Sequence, residues 1–207
     1  MIADKKWFPV LYMFVITALC SSVLIGFTRV TSERVDANQL LAFEKAVLEV
    51  LPGVYEQGQN ASGVDVHKMF TEKVTEPDES SAGAYTLRED GKIAAYALPV
   101  SGQGFWAPID AIIGIAADAE TITGIAIYEQ NETPGLGAEI TKPQFKSQFD
   151  GKVLLEGDKP LSIKRPGSEL DDSSVHAVTG ATQTSVRFEK IINDGVKKWR
   201  QEMGTIK

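Results

Sequence analysis

The chain has 207 residues, with 21 Lys and Arg against 28 Asp and Glu, a net charge of −7. That length holds one domain of about 100–150 residues with appendages, and the acidic balance excludes a nucleic-acid binder, which needs clustered basic side chains. The single cysteine, Cys20, excludes a disulfide framework and any cysteine-ligated zinc or iron–sulfur cluster, so redox chemistry here needs a borrowed cofactor.

Phe8 to Phe27 contains no Asp, Glu, Lys, Arg or His. At 1.5 Å per residue such a run spans about 30 Å, the thickness of a hydrocarbon core, and a single membrane-spanning helix is expected there. Lys5 and Lys6 precede it, and Arg29 and Arg34 follow. The basic pair on a short N-terminus favours an N-in orientation, with the large C-terminal part outside the cytoplasm. A cleavable signal peptide is disfavoured because the run is too long and no small-x-small site follows. Leu19 stands where a lipoprotein anchor at Cys20 would need a small residue, so Cys20 reads as a small apolar residue of the membrane helix.

Val35 to Leu51 carries Val35, Leu40, Leu41, Phe43, Val47, Leu48 and Leu51 among polar residues. This predicts a separate amphipathic helix, stopped by Pro52-Gly53. Gln57 to Ala84 is polar and glycine-containing and gives no clear element, with Ser80 to Gly83 as loop. His67 has no second histidine or cysteine at metal-ligand spacing and reads as a solvated surface side chain.

From Tyr85 the pattern changes to strands. Tyr85–Arg88 and Ile93–Val100 flank a turn centred on Asp90-Gly91, a hairpin signal. Ala111–Ala117 and Thr121–Tyr128, rich in Ile and Ala, flank Asp118-Ala119-Glu120 as a second hairpin. Lys142–Phe149 reads as a short helix with Phe145 and Phe149 on one face, capped by Gly151. Val153–Leu155 and Leu161–Lys164 are expected as short strands. Phe188, Ile191, Ile192, Val196 and Trp199 then mark one apolar face of a last helix. The class is α+β: one N-terminal transmembrane helix, then a curved antiparallel sheet with helices packed against it.

Three blocks carry chemistry. Thr179-Gly180-Ala181-Thr182-Gln183-Thr184-Ser185 is small and hydroxyl-rich and leads into the last helix. A helix start offers unpaired N–H groups and the positive end of the dipole, an anion site suited to phosphate. Read as ordinary structure, Thr184 or Ser185 would be its N-cap. Glu132-Thr133-Pro134-Gly135-Leu136-Gly137 could be a bare turn, or a loop whose glycines admit a ligand against the backbone. Gly102-Gln103-Gly104-Phe105-Trp106-Ala107-Pro108-Ile109 ends in a tryptophan fit either for the core or for covering an aromatic ring. Asp110 and Glu129 have no visible partner, and no Ser-His-Asp order, metal-spaced histidine pair, Walker loop or GxGxxG turn occurs. Neither catalytic residues, a metal site nor an NAD site is expected on this chain.

Thr179-Gly180-Ala181-Thr182 resembles the Ser/Thr-Gly-Ala-Thr flavinylation motif of the FMN-binding domains of the RnfG and NqrC proteins, which belong to the Rnf and Nqr complexes. The Glu132–Gly137 block resembles that family's Glu-Thr-Pro-Gly-Leu-Gly loop, and Gly102–Ile109 its glycine-rich segment with Trp. The blocks stand in the family's order and span most of the chain from about residue 85. The resemblance implies FMN joined by a phosphoester to Thr182, with Thr179, Gly180, Ala181, Thr184 and Ser185 around the attachment. Glu132, Thr133, Gly135, Leu136, Gly137 and Trp106 are then expected to surround the cofactor. The family carries Asp six residues before the acceptor, part of what its flavin transferase reads; here that residue is His176, with Asp171 and Asp172 out of register.

The residue patterns and the resemblance together divide the chain into residues 1–7 as a cytoplasmic N-terminus, 8–27 as the transmembrane helix, 28–84 as an extracytoplasmic helix and connecting loop, and 85–207 as the expected FMN-binding domain. The implied protein is a single-pass electron-carrier subunit in a bacterial or archaeal cell membrane, matured by a flavin transferase and assembled with other membrane subunits. Because NqrC proteins tend to be longer than this chain, the first expectation is an Rnf-type ferredoxin:NAD oxidoreductase complex. A sodium-pumping NADH:quinone oxidoreductase comes second, and a structural or assembly subunit without working flavin third.

Overall fold

The structure is a computed structural model that describes residues 7–55 and 61–206, in two compact units, Met1–Leu40 and Leu41–Lys207. Lys5 and Lys6, on which the expected orientation rests, lie outside the described residues, as does Gln57–Asn60 of the polar stretch.

One helix, α1 (Phe8–Val50, 43 residues), makes up the described part of the first unit, and its last turns belong to the second. Sequence reasoning expects a break between residues 27 and 35, and there is none. Residues 28–34 contain neither Gly nor Pro, so nothing interrupts propagation. The hydroxyls of Thr28 and Thr31 donate back to the carbonyls of Leu24 and Phe27, both at 2.9 Å, so the polar side chains are satisfied within the helix. The helix is long and apolar enough to cross a membrane, and its apolar stretch has no buried residue.

The second unit has three layers around a five-stranded antiparallel sheet in sequence order: β1 (Val74–Thr75), β2 (Tyr85–Glu89), β3 (Lys92–Gln103), β4 (Pro108–Ala116) and β5 (Ile122–Glu129). Asp90 and Gly91, at φ 50° and 76°, meet the demand of a two-residue hairpin turn for positive φ at both central positions. Alternation along β4 divides the core. Ile109, Ala111, Ile113 and Ile115 face one layer, while Ile112 faces the other.

The first layer is α4 (Thr182–Ile206), which buries Phe188, Ile192, Val196 and Trp199 as its periodicity predicts. Its approach to β3 is tight enough to require glycine, since a Cβ on Gly195 would lie 2.3 Å from Val100. The second layer is the end of α1, from which Ala46, Val47 and Val50, with Leu51 just beyond the helix, pack on Ala95, Ala97 and Ile112. The Val50 carbonyl accepts the Thr123 hydroxyl at 2.7 Å, and Lys146 pairs with Glu49 at 3.2 Å. The segment from Leu41 is thus part of the compact unit, not a connection preceding it.

The stretch without a clear pattern contains α2 (Gly63–Lys73), started by a reciprocal capping box between Ser62 and Asp65. On α2, His67 is not merely solvated. Its Nδ1 lies 2.7 Å from Oε1 of Glu44, a buried side chain of α1. The expected helix at 142–149 is a single α-turn, α3 (Pro143–Lys146), continued by a 3-10 turn at Ser147–Phe149. Gly151 follows at φ 73°. The expected strand at Val153–Leu155 reduces to an isolated bridge between Val153 and Thr121. Leu161–Lys164 shortens to β6 (Ser162–Lys164), which pairs in parallel with an unforeseen β7 (Ser174–His176).

Polar side chains of α4 tie this irregular segment down. Buried Asn193 accepts from the Leu161 N–H at 2.8 Å and donates to the Leu161 carbonyl at 2.9 Å, and Arg200 donates to the carbonyls of Ala119, Leu154 and Leu155. Asn193→Ala leaves a buried donor and a buried acceptor unpaired, a loss of roughly 2–4 kcal/mol. The expected outcome is a clear fall in the denaturant midpoint, followed through the fluorescence of buried Trp199. An unchanged midpoint would mean the two backbone groups find other partners.

Candidate functional site

Three elements end at the same place: the β3–β4 turn, the exit of β5 and the start of α4. The β3–β4 turn is closed by the Gly104 N–H donating to the Ala107 carbonyl at 2.9 Å. At the exit of β5, Asp110 faces Glu129 while Ala111 faces Ile127, so Tyr128 is the extra residue of a bulge. Bulges bend the strand that carries them, and Glu132 follows only three residues after Glu129, where the strand ends. Burial, with the carboxylates of Asp110 and Glu129 nearby, pushes the Tyr128 phenol up to about 12. The 132–137 loop is a turn in which the N–H groups of Leu136 and Ala138 both donate to the Thr133 carbonyl at 3.1 Å, with Gly135 at φ +74°. The start of α4 is preceded by Gly180 at φ +79°.

Glu132 joins all three. It is 5 % exposed; Oε1 accepts the Trp106 N–H at 3.0 Å, and Oε2 accepts the Thr184 hydroxyl at 2.7 Å. Two glycines make room for it. A Cβ on Gly104 would lie 2.6 Å from Oε1, and one on Gly137 would lie 2.6 Å from Oε2 and from Thr184 Oγ1. The three sequence blocks are therefore parts of one carboxylate cage, separated along the chain and closed in space.

Around the cage lies a cavity of about 300 Å³. It is lined by Glu132, Thr133, Leu136 and Gly137 of the 132–137 loop, by Gly180, Ala181, Thr182 and Thr184 at the start of α4, and by Trp106. Phe105 and Gln183 also line it; in the sequence Phe105 is only a member of its block and Gln183 carries no signal of a role. Thr179, Gly135 and Ser185 are outside the lining. Trp106 is 67 % exposed and Leu136 45 %, so Trp106 is not the core residue its position at a strand end allowed. The Phe105 and Trp106 rings meet edge to face at 5.1 Å.

The hydroxyls of the 179–185 run differ in state. Thr184 and Ser185 are buried, and neither caps the helix. Thr184 is bound to Glu132, and Ser185 Oγ accepts the Val178 N–H at 3.2 Å. The first helical bond runs from the Ser185 N–H to the Ala181 carbonyl, which leaves the N–H groups of the first turn beside the cavity without intrahelical partners. Thr182 is exposed there.

His176 is not part of the cavity lining. Its N–H donates to Gln148 Oε1 at 2.9 Å and its Nε2 lies 3.0 Å from the Ser168 carbonyl. Asp171 is committed elsewhere. Its hydrogen bond from Lys164, with those of Ser174 and Ser173, holds its carboxyl well below the usual range.

An exposed hydroxyl at a helix start, unpaired N–H groups and an apolar aromatic rim suit a ligand with a phosphate at one end and a flat ring at the other. Residues 104–197 match the model of the FMN-binding domain family. The chain binds FMN. The NqrC protein of Neisseria meningitidis serogroup A, a subunit of the Na(+)-translocating NADH-quinone reductase, is 40% identical over 121 residues, covering 57% of this chain and 45% of that protein. Its counterpart in Vibrio vulnificus (strain YJ016) is 38% identical over 104 residues, covering 49% of this chain and 41% of that protein. The match thus spans less than half of these relatives. The crystal structure of the counterpart from Parabacteroides distasonis superposes with a TM-score of 0.68 at 22% identity, covering 81% of this chain and 94% of that one, a likeness of fold. That of Shewanella oneidensis NqrC gives 0.54 at 27% identity, covering 65% and 69%.

The cage gives a contrast between two glycines of one loop. A Cβ on Gly137 collides with Glu132 and Thr184, whereas one on Gly135 meets nothing within 4 Å. Gly137→Ala is expected to open the cage at a cost of about 1–3 kcal/mol and to lower flavin content per folded protein. Gly135→Ala carries only its left-handed backbone strain, about 1 kcal/mol, and keeps the cage. Thermal melting and flavin-to-protein absorbance ratios of both variants measure this, and equal behaviour of the two would contradict it.

Proposed function

We propose that this protein is a membrane-anchored electron-carrier subunit of the Na(+)-translocating NADH-quinone reductase type, with FMN joined through its phosphate to the hydroxyl of Thr182. The observation that carries the reading is the position of Thr182: an exposed hydroxyl on the first turn of the 25-residue α4, inside the cavity that Glu132, Leu136 and Trp106 enclose. The relatives favour this complex over the Rnf type that chain length suggested. Length is a poor guide when the matched segment is under half of the relatives.

The flavin supplies the electron chemistry, and the protein supplies place and field. The first-turn N–H groups and the positive end of the α4 dipole stabilise the phosphate charge. Gly180, at φ +79°, turns the chain into α4 where a Cβ would lie 3.1 Å from Leu136, Thr182 stays exposed, and Leu136 and Trp106 offer apolar surface to one part of the ring. A covalent tether keeps a cofactor that must meet both donor and acceptor at a fixed effective concentration near them. The apolar part of α1 anchors the chain in the bilayer, the FMN-binding domain lies outside the cytoplasm, and a flavin transferase and the other membrane subunits are its partners.

Thr182→Ala is expected to abolish covalent flavin with the fold intact, because an exposed side chain contributes little packing. Intact-mass spectrometry of protein purified from its native membrane should show an adduct of FMN minus water in the unsubstituted chain and none in the variant. An adduct that persists in the variant moves the attachment elsewhere. No adduct in the unsubstituted chain favours an assembly subunit without working flavin.

Orientation is tested separately. In a Cys20→Ala background, a cysteine replacing exposed Lys190 on α4 should react with a membrane-impermeant thiol reagent in intact cells. Labelling only after lysis would place the domain in the cytoplasm.

A further inference from the structure

We infer that Glu132 is the residue that sets the flavin's reduction potential. The inference rests on the reading that the 300 Å³ cavity holds the FMN of this domain. Glu132 lines that cavity, yet it is 5 % exposed. Its two recorded donors, the Trp106 N–H and the Thr184 hydroxyl, are neutral, and the residues lining the cavity include neither Lys nor Arg. A carboxylate so placed acts on its surroundings through a low local dielectric. It is held rigidly, because the glycines at 104 and 137 leave it no spare space.

The effect has a definite sign. Two-electron reduction of a flavin with uptake of one proton adds one negative charge to it. A fixed negative side chain beside the cavity opposes that charge, so it favours the oxidised flavin and makes the potential more negative. The phosphate end lies at the start of α4, where the helix dipole compensates it. Neither Lys nor Arg among the residues lining the cavity offsets the Glu132 carboxylate.

Glu132→Gln removes the charge and keeps the shape, since its amide oxygen still accepts the Trp106 N–H and Thr184 can accept from the amide nitrogen. The full chain, purified flavinylated in detergent, is titrated with dithionite against redox mediators while flavin absorbance is followed. The expected result is at least a tenfold higher ratio of reduced to oxidised flavin at a fixed poise, which is about 30 mV for a two-electron couple. Thr184→Val separates charge from structure, because it keeps the carboxylate, removes a donor and should move the potential the other way or not at all. A fully flavinylated Glu132→Gln with the unsubstituted potential overturns the inference. So does a Glu132→Gln that carries no flavin, which would make Glu132 a residue of assembly alone. So does an equal positive shift in Thr184→Val, which would reflect a loosened cage. Failure of the Thr182 reading is seen independently, as flavin lost on denaturation from the unsubstituted protein.

Discussion

The site depends on one buried carboxylate. Removing Glu132 from water is costly unless its oxygens are bonded, and each of its two hydrogen bonds comes from a different part of the chain. The Trp106 N–H fixes the β3–β4 turn and the Thr184 hydroxyl fixes the first turn of α4. The loop that carries Glu132 is thereby locked against both. Gly104 and Gly137 are consequences of the same fact, because side chains there would occupy the space of the carboxylate oxygens. The glycines sequence reasoning allotted to a cofactor's approach therefore divide in role. Gly137 makes room for Glu132, while Gly135 turns the loop with open space at its Cα.

The scaffold supplies the rigidity this cage requires. The strands leading to the cage are paired along their length, and the helix that leaves it is clamped on β3 by Gly195 against Val100 and by Ile191 against Gly102. A Cβ on Gly102 would lie 2.6 Å from Ile191, so the first glycine of the β3 block serves helix packing and the next serves the carboxylate. On the opposite face, the end of α1 meets Gly114, whose Cβ would fall 2.4 Å from the Val50 carbonyl. Each contact exchanges a side chain for close backbone approach, which confines the relative positions of α4, the sheet and the end of α1 within the second unit.

Strong periodicity made the sheet and α4 legible. The Ile-rich alternation of β4 and the apolar face of α4 are burial patterns, and burial decided both. Two kinds of element escaped. α2 is signalled by its capping box alone, because Val66 is its only buried residue. The β6–β7 pair is too short for a pattern, and it is held by Asn193 and Glu189 of α4 through backbone bonds at Leu161 and Ile163. At the site, the motifs located the residues, but their sequence order could not reveal that Glu132 binds Thr184 across 52 positions. Nor could it separate lining residues from supporting ones.

The hydroxyls of the 179–185 run show how much geometry adds to the motif. Thr179 is exposed but sits before the Gly180 turn, outside the cavity lining. Thr184 lines the cavity but is 3 % exposed and already donates to Glu132. Ser185 is 1 % exposed and accepts from Val178. Thr182 alone in this run combines exposure, a place in the cavity wall and a position on the first turn of α4. An acceptor must be reached by a transferring enzyme and then leave its phosphate where charge is stabilised, and these demands conflict for a buried hydroxyl. The bond between Thr184 and Glu132 reconciles them. By burying one side of the first turn, it sets the roll of the helix so that the residue two positions earlier faces outward.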